Sequence, residues 1–187
     1  MTVNLMDGMR TAGLIQFGAF GDDPQAPVQF KLELMASYPA VLETAAEQLA
    51  AIVAKIPSDR LLCLPDAVPL ATLVSQRVSR ALVYSQFSER GSLELIGAYD
   101  IGHPTVLIAN VLHSLPTTLK VIDYARRVGL DVRTAAAVLY VGEMGLGGEA
   151  TCLITLREVI DNFVAVGALP KGQSAAVHLW MQDFLDQ

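Results

Sequence analysis

Thr105-Val106-Leu107-Ile108-Ala109, continued by Asn110-Val111-Leu112-His113-Ser114-Leu115-Pro116-Thr117-Thr118, is the stretch on which the fold turns. Its first five residues are apolar or β-branched without alternation, which predicts a short strand buried on both faces, as in a parallel sheet covered by helices. Upstream lie Arg60-Leu61-Leu62-Cys63-Leu64, halted by Pro65-Asp66, then Ala81-Leu82-Val83-Tyr84, and an extended or hairpin segment over 92–98. Helical spacing fills the gaps: Val41, Leu42, Ala45, Ala46, Leu49, Ile52, Val53 and Ile56 after Pro39, and Leu70, Leu73, Val74 and Val78 after Val68. Downstream, residues 119–128 read as a helix ended by Gly129, residues 132–141 as a strand, residues 142–148 as a glycine-rich loop, and residues 156–166 and 174–185 as two helices. The order β, α, β, β, β, α, β predicts one α/β domain over residues 1–187, with a mostly parallel sheet flanked by helices.

Composition excludes several function classes. Hydrophobic residues make up 52% and charged residues 17% of the 187, against usual values of roughly 45–50% and about 25%, so apolar surface is left for a partner once the core is filled. Thirteen Lys and Arg against nineteen Asp and Glu give a net charge of −6. Basic residues are scattered singly apart from Arg126-Arg127, which leaves no cationic stripe for nucleic acid. No run reaches the ~18–20 apolar residues of a membrane span, and Met1 to Met9 lacks a signal peptide's basic and apolar regions, so a cytoplasmic protein is expected. Cys63 and Cys152 sit in apolar runs without ligand-spaced neighbours and are expected as reduced core thiols.

An ordered set of segments resembles the type I phosphoribosyltransferases, most closely the orotate phosphoribosyltransferases, over nearly the whole chain. Residues 13–20 and 26–30 resemble the family's amino-terminal hood, Val68-Pro69-Leu70-Ala71 its Ile-Pro-Leu-Ala helix start, and Gly102-His103-Pro104-Thr105-Val106-Leu107-Ile108 the strand leading to its ribose-phosphate loop. Arg126-Arg127-Val128-Gly129-Leu130-Asp131-Val132 resembles the turn after that loop's helix. The resemblance implies a hood at 1–37, an α/β core at 38–150, C-terminal helices at 151–187, and a homodimer.

The family's chemistry requires charge that this chain lacks in five places. Ala109 and Asn110 stand where the resemblance places two acids that hold ribose hydroxyls, and Leu115-Pro116 where a flexible glycine lets the backbone close on phosphate. Leu64-Pro65-Asp66-Ala67 sets a carboxylate where diphosphate would dock. Residues 84–91, matching the mobile catalytic loop, keep only Arg90 of its cations. The hood lysine has no counterpart in residues 21–25, and Tyr140-Val141 replaces an Asp-Arg pair that would meet an anionic pyrimidine.

The expected function is therefore a catalytically inactive orotate-phosphoribosyltransferase-like protein with a binding, regulatory or scaffolding role. The alternatives are a residual phosphoribosyltransferase, with magnesium held by Asp66 or another carboxylate, and a nucleotide sensor that does not react. No catalytic or metal-ligating residue and no cofactor is assigned. The candidate ligand-binding residues are Asp66, Ala67, Asn110, His113, Ser114, Thr117 and Thr118, in the degenerate diphosphate and phosphate loops. The ancestral pocket is expected either to be filled by apolar side chains such as Leu112 and Leu115 or to hold another ligand. The spaced glycines of residues 142–148 read as a loop rather than a dinucleotide site, and Asp22-Asp23, Glu143 and Glu149 as solvated acids rather than a metal site. Phe17, Phe20, Phe30 and Tyr38 are expected in the core.

Overall fold

The computed structural model describes residues 4–20, 26–113, 116–141 and 149–185. Ser114, Leu115, residues 21–25 and residues 142–148, Glu143 among them, lie outside the described residues. The chain runs α1 (Leu5–Thr11), β1 (Ile15–Phe17), β2 (Val28–Phe30), α2 (Pro39–Val53), β3 (Arg60–Cys63), α3 (Val68–Val78), β4 (Ala81–Phe87) and β5 (Leu93–Ile96). It continues through β6 (Pro104–Leu112), α4 (Pro116–Arg127), β7 (Asp131–Tyr140), β8 (Glu149–Thr155), α5 (Leu156–Ala165) and α6 (Lys171–Leu185). The main sheet has the order β5-β4-β3-β6-β7-β8, with every neighbouring pair parallel except β4 and β5. β1 and β2 form a separate antiparallel hairpin.

Strand periodicity divides the core into two layers. Leu61, Cys63, Val106 and Ile108 face one side of the sheet, with α2, α3 and α5, while Leu62, Leu64, Leu107 and Ala109 face the other, under Val121, Ile122 and Ala125 of α4. Each alternate residue of β3 and β6 thus buries against a different helix layer, which is why these strands show no polar alternation in the sequence. Phe17 meets Phe163 edge-on at 5.3 Å between ring centroids, tying the β1–β2 hairpin to α5.

Several boundaries differ from the sequence reading. Helix α4 starts at Pro116 rather than 119, because proline fits a first helical turn whose N–H groups need no intrahelical partner. Strand β8 contains Cys152, which is half-buried rather than a core thiol, and it carries the sheet past residue 150 to Thr155. Tyr38 is 41% exposed instead of packed in the core. No helix among the described residues is long and apolar enough to cross a membrane.

Candidate functional site

Because β3 is followed in sequence by its neighbour β4 on one side and later by β6 on the other, the connections leave β3 and β6 in opposite directions. α3 and α4 accordingly pack on opposite faces, and a crevice opens between the carboxyl ends of the two strands, where open α/β sheets bind ligands. The tight turn Pro65–Ala67 follows β3, and Asn110 to His113 closes β6.

Four of the candidate residues, Asp66, Ala67, Asn110 and His113, converge there. Asn110 shares the face of Val106 and Ile108 by strand alternation and reaches across the crevice, donating from Nδ2 to the Asp66 carbonyl oxygen at 2.8 Å and to Asp66 Oδ2 at 3.1 Å. It is 2% exposed, and its Oδ1 is buried without a hydrogen-bond donor among the described residues. Ala67 is fully buried beneath the turn, while Asp66 is exposed on it. Ala109 is buried in the opposite core layer, under α4, and Leu112 joins that layer at the strand's end, where regular alternation no longer holds. Thr117 and Thr118 lie in the first turn of α4, Thr117 exposed and Thr118 3% exposed.

Burial pushes the His113 imidazole below its ordinary pKa, and the nearby Asp66 carboxylate only partly offsets this. His113 is therefore neutral at pH 7. The unfolded chain takes up this proton near pH 6.5 whereas the folded chain does so only at lower pH, so the native state loses stability as pH falls below 6.5 toward the depressed folded value. We expect urea midpoints measured from pH 7.5 to 5 to fall less steeply in His113→Gln than in the parent; parallel curves would remove His113 as the cause.

One polar group in this region has no counterpart in the sequence reading, and the Cys63 thiol is buried as that reading expects. Ser85 of β4 is 1% exposed and donates its hydroxyl to the Cys63 carbonyl at 2.8 Å. Burial, with Asp66 adding repulsion, pushes the Cys63 thiol up to about 12, so this sulfur is no nucleophile at neutral pH. Polar residues inside an apolar run were the signal: Ser85 interrupts a strand as Asn110 does.

The matched catalytic-loop region takes a compact form. Phe87 pairs with Leu93, leaving five residues between β4 and β5, and the turn is closed by Ser88 N–H to the Ser92 carbonyl, Gly91 N–H to the Ser88 carbonyl and Ser92 N–H to Ser88 Oγ. Tyr140 ends β7 half-buried and Val141 is buried.

No family model and no curated protein matches the sequence. Solved structures do match. UMP synthase from Leishmania donovani superimposes with a TM-score of 0.82 at 22% identity, over 96% of this chain and 42% of that one. Orotate phosphoribosyltransferase from Aeropyrum pernix gives 0.72 at 17% identity, over 89% of this chain and 100% of that one. The fold is that of the type I phosphoribosyltransferases. Adenine phosphoribosyltransferase from Thermoanaerobacter pseudethanolicus shares it at a TM-score of 0.59 and 10% identity, over 81% and 99% of the two chains. This chain spans less than half of the Leishmania protein's length, and at these identities the likeness is one of architecture. Within the phosphoribosyltransferase fold, the crevice between β3 and β6 is bridged here by an amide–carboxylate contact.

Proposed function

We propose that this chain is a catalytically inactive member of the phosphoribosyltransferase fold whose role is binding, regulatory or scaffolding. The observation that carries the reading is the Asn110–Asp66 bridge. It spends an amide donor on the carboxylate that faces incoming anions and brings no cation with it. The described segments that follow β3, β4, β6 and β7 (Leu64–Ala67, Ser88–Ser92, His113 and Val141) contain a single cation, Arg90. A diphosphate approaching Asp66 would meet repulsion.

Magnesium does not rescue this arrangement. Asp66 is the only carboxylate in the described segments after β3 and β6, its Oδ2 is already hydrogen-bonded to Asn110, and no three His, Cys, Asp or Glu side chains gather among the described residues. One carboxylate is a poor magnesium site unless the substrate phosphates supply most of the remaining ligands.

Thermal unfolding with and without phosphoribosyl diphosphate and magnesium tests the reading, together with turnover on orotate and a panel of neutral bases. A native-state ligand at a hundred times its Kd stabilises by about 2.7 kcal/mol. We expect neither an upward shift nor turnover; release of diphosphate with any base would overturn the proposal. A homodimer belongs to the same reading, by resemblance, and sedimentation equilibrium should return twice the chain mass.

One observation favours a second reading, a sensor that binds a nucleotide or nucleoside without reacting. Among the described residues Asn110 Oδ1 is a buried acceptor without a donor, and a ligand hydroxyl or amine would satisfy it. Stabilisation by uridine that Asn110→Ala abolishes would select that reading; the inactive scaffold predicts none.

A further inference from the structure

An open groove that shares no lining residue with the β3–β6 crevice lies on another part of the molecule. It runs between the β4–β5 hairpin and helix α4, encloses about 970 Å³, and is bounded by Phe87 and Leu93 on one wall and by Lys120, Asp123, Tyr124 and Arg127 on the other. That volume is at the upper end of small-molecule sites, roughly 300–1,000 Å³.

The chemistry of the groove is specific. Phe87 is 44% exposed at the end of β4, an aromatic surface that gains by being covered. On the opposite wall, the Arg127 guanidinium carbon stands over the Tyr124 ring, 5.6 Å from its centroid, so that cation and ring form one platform. Lys120 lies two helical turns before Arg127, about 10 Å along the axis, on the same stripe. Among the described residues neither Lys120 nor Asp123 has an ion pair or a side-chain hydrogen bond, and the guanidinium of Arg127 meets only that ring. Arg126, by contrast, is tied down, its Nε and Nη2 donating to the Val132 carbonyl at 3.0 and 2.7 Å.

The N–H groups of Gly91 and Ser92, the turn residues that line the groove, are consumed within the turn. An anionic group entering the groove is met by side chains, Lys120 and Arg127. Asp123 lies between these two and opposes a polyanion, so the fit is to one anionic group on a flat apolar body.

We propose that this groove binds a planar aromatic anion, its ring against Phe87 and the Arg127–Tyr124 platform and its carboxylate or phosphate on Lys120. This site is separate from the β3–β6 crevice and does not depend on the reading of that crevice.

Isothermal titration of the full chain with indole-3-acetate and adenosine 5′-monophosphate, with adenosine and inorganic phosphate as controls, tests it. The two anions differ in headgroup, so their ranking tells carboxylate from phosphate. We expect at least one aromatic anion to bind about tenfold more tightly than adenosine or phosphate, since a hydrogen bond to a charged group carries about that factor or more. Lys120→Ala and Arg127→Ala should each weaken it about tenfold, Phe87→Ala should weaken it, Asp123→Asn should strengthen it, and Lys171→Ala, exposed at the start of α6, should leave it unchanged. The substituted charged residues are exposed, so circular dichroism should show each variant folded. No binding at millimolar concentration, equal binding of adenosine, or insensitivity to the Lys120 and Arg127 substitutions would overturn the proposal.

Discussion

Asn110→Asp is expected to destabilise the protein by about 3 kcal/mol at pH 7, although it restores one of the acids that the family resemblance places at the end of this strand. Asn110 is 2% exposed and its Nδ2 lies 3.1 Å from Asp66 Oδ2. The substitution replaces that donor with a second carboxylate at the same place, buried and beside a like charge. Both effects raise the folded pKa of the new acid above its unfolded value of about 3.9. The folded chain then binds more protons than the unfolded one, so the penalty is absent below the unfolded pKa, grows through the interval between the two values and is complete above the folded one. Urea midpoints of parent and variant should converge as pH falls from 8 to 4.5. Asn110→Leu, which strands the Asp66 carbonyl without adding charge, should cost about 1–3 kcal/mol with no such pH dependence. An Asn110→Asp protein as stable as its parent at pH 7 would mean that the crevice holds a compensating cation, and the argument for an inactive site would fall with it.

That expectation separates what the sequence makes legible from what it does not. The uninterrupted apolar run at Val106–Ala109 announces a doubly covered strand, and it lies near the centre of the sheet with its alternate residues in two helix layers. The replacement of acids by Ala109 and Asn110 is equally visible. The partner of Asn110 is not, because it lies 44 residues away and is fixed by which strands become neighbours rather than by local spacing. Strand alternation then decides that Asn110 faces Asp66 while Ala109 is buried under α4.

Short elements were the least legible. Helix α1 has seven residues and strands β1 and β2 three each, too few for either period to register against the apolar background. They form through tertiary packing, with Leu5, Met9, Leu14, Ile15 and Val28 all buried in the same core layer. The groove beside α4 was hidden for another reason. Lys120 and Arg127 are isolated cations in the sequence, and only helical spacing opposite the Phe87 hairpin joins them into one wall.

The hairpin wall itself hangs on one glycine, and Gly97→Ala is expected to cost about 3 kcal/mol. Gly97 has φ +145°, a conformation that side-chain-bearing residues rarely adopt, and a Cβ added there would lie 2.8 Å from the Leu82 carbonyl oxygen and 3.0 Å from the Val83 Cα. Both obstacles are backbone atoms of β4, which is held on its other side by β3, so neither can yield as a flexible side chain would. Backbone strain of roughly 1–3 kcal/mol and a forced contact of similar size act together. The relief available is for β5 to separate from β4, which would also break the bond from Arg60 Nε to the Ala98 carbonyl at 2.9 Å. Hydrogen exchange should therefore lose protection first at Leu93–Ile96. Gly91→Ala provides the contrast: its φ is +76° but nothing lies within 4 Å of the added Cβ, so only the conformational term remains, about 1 kcal/mol. If the two substitutions cost the same, the close approach at Gly97 is not what holds the β4–β5 hairpin against the sheet.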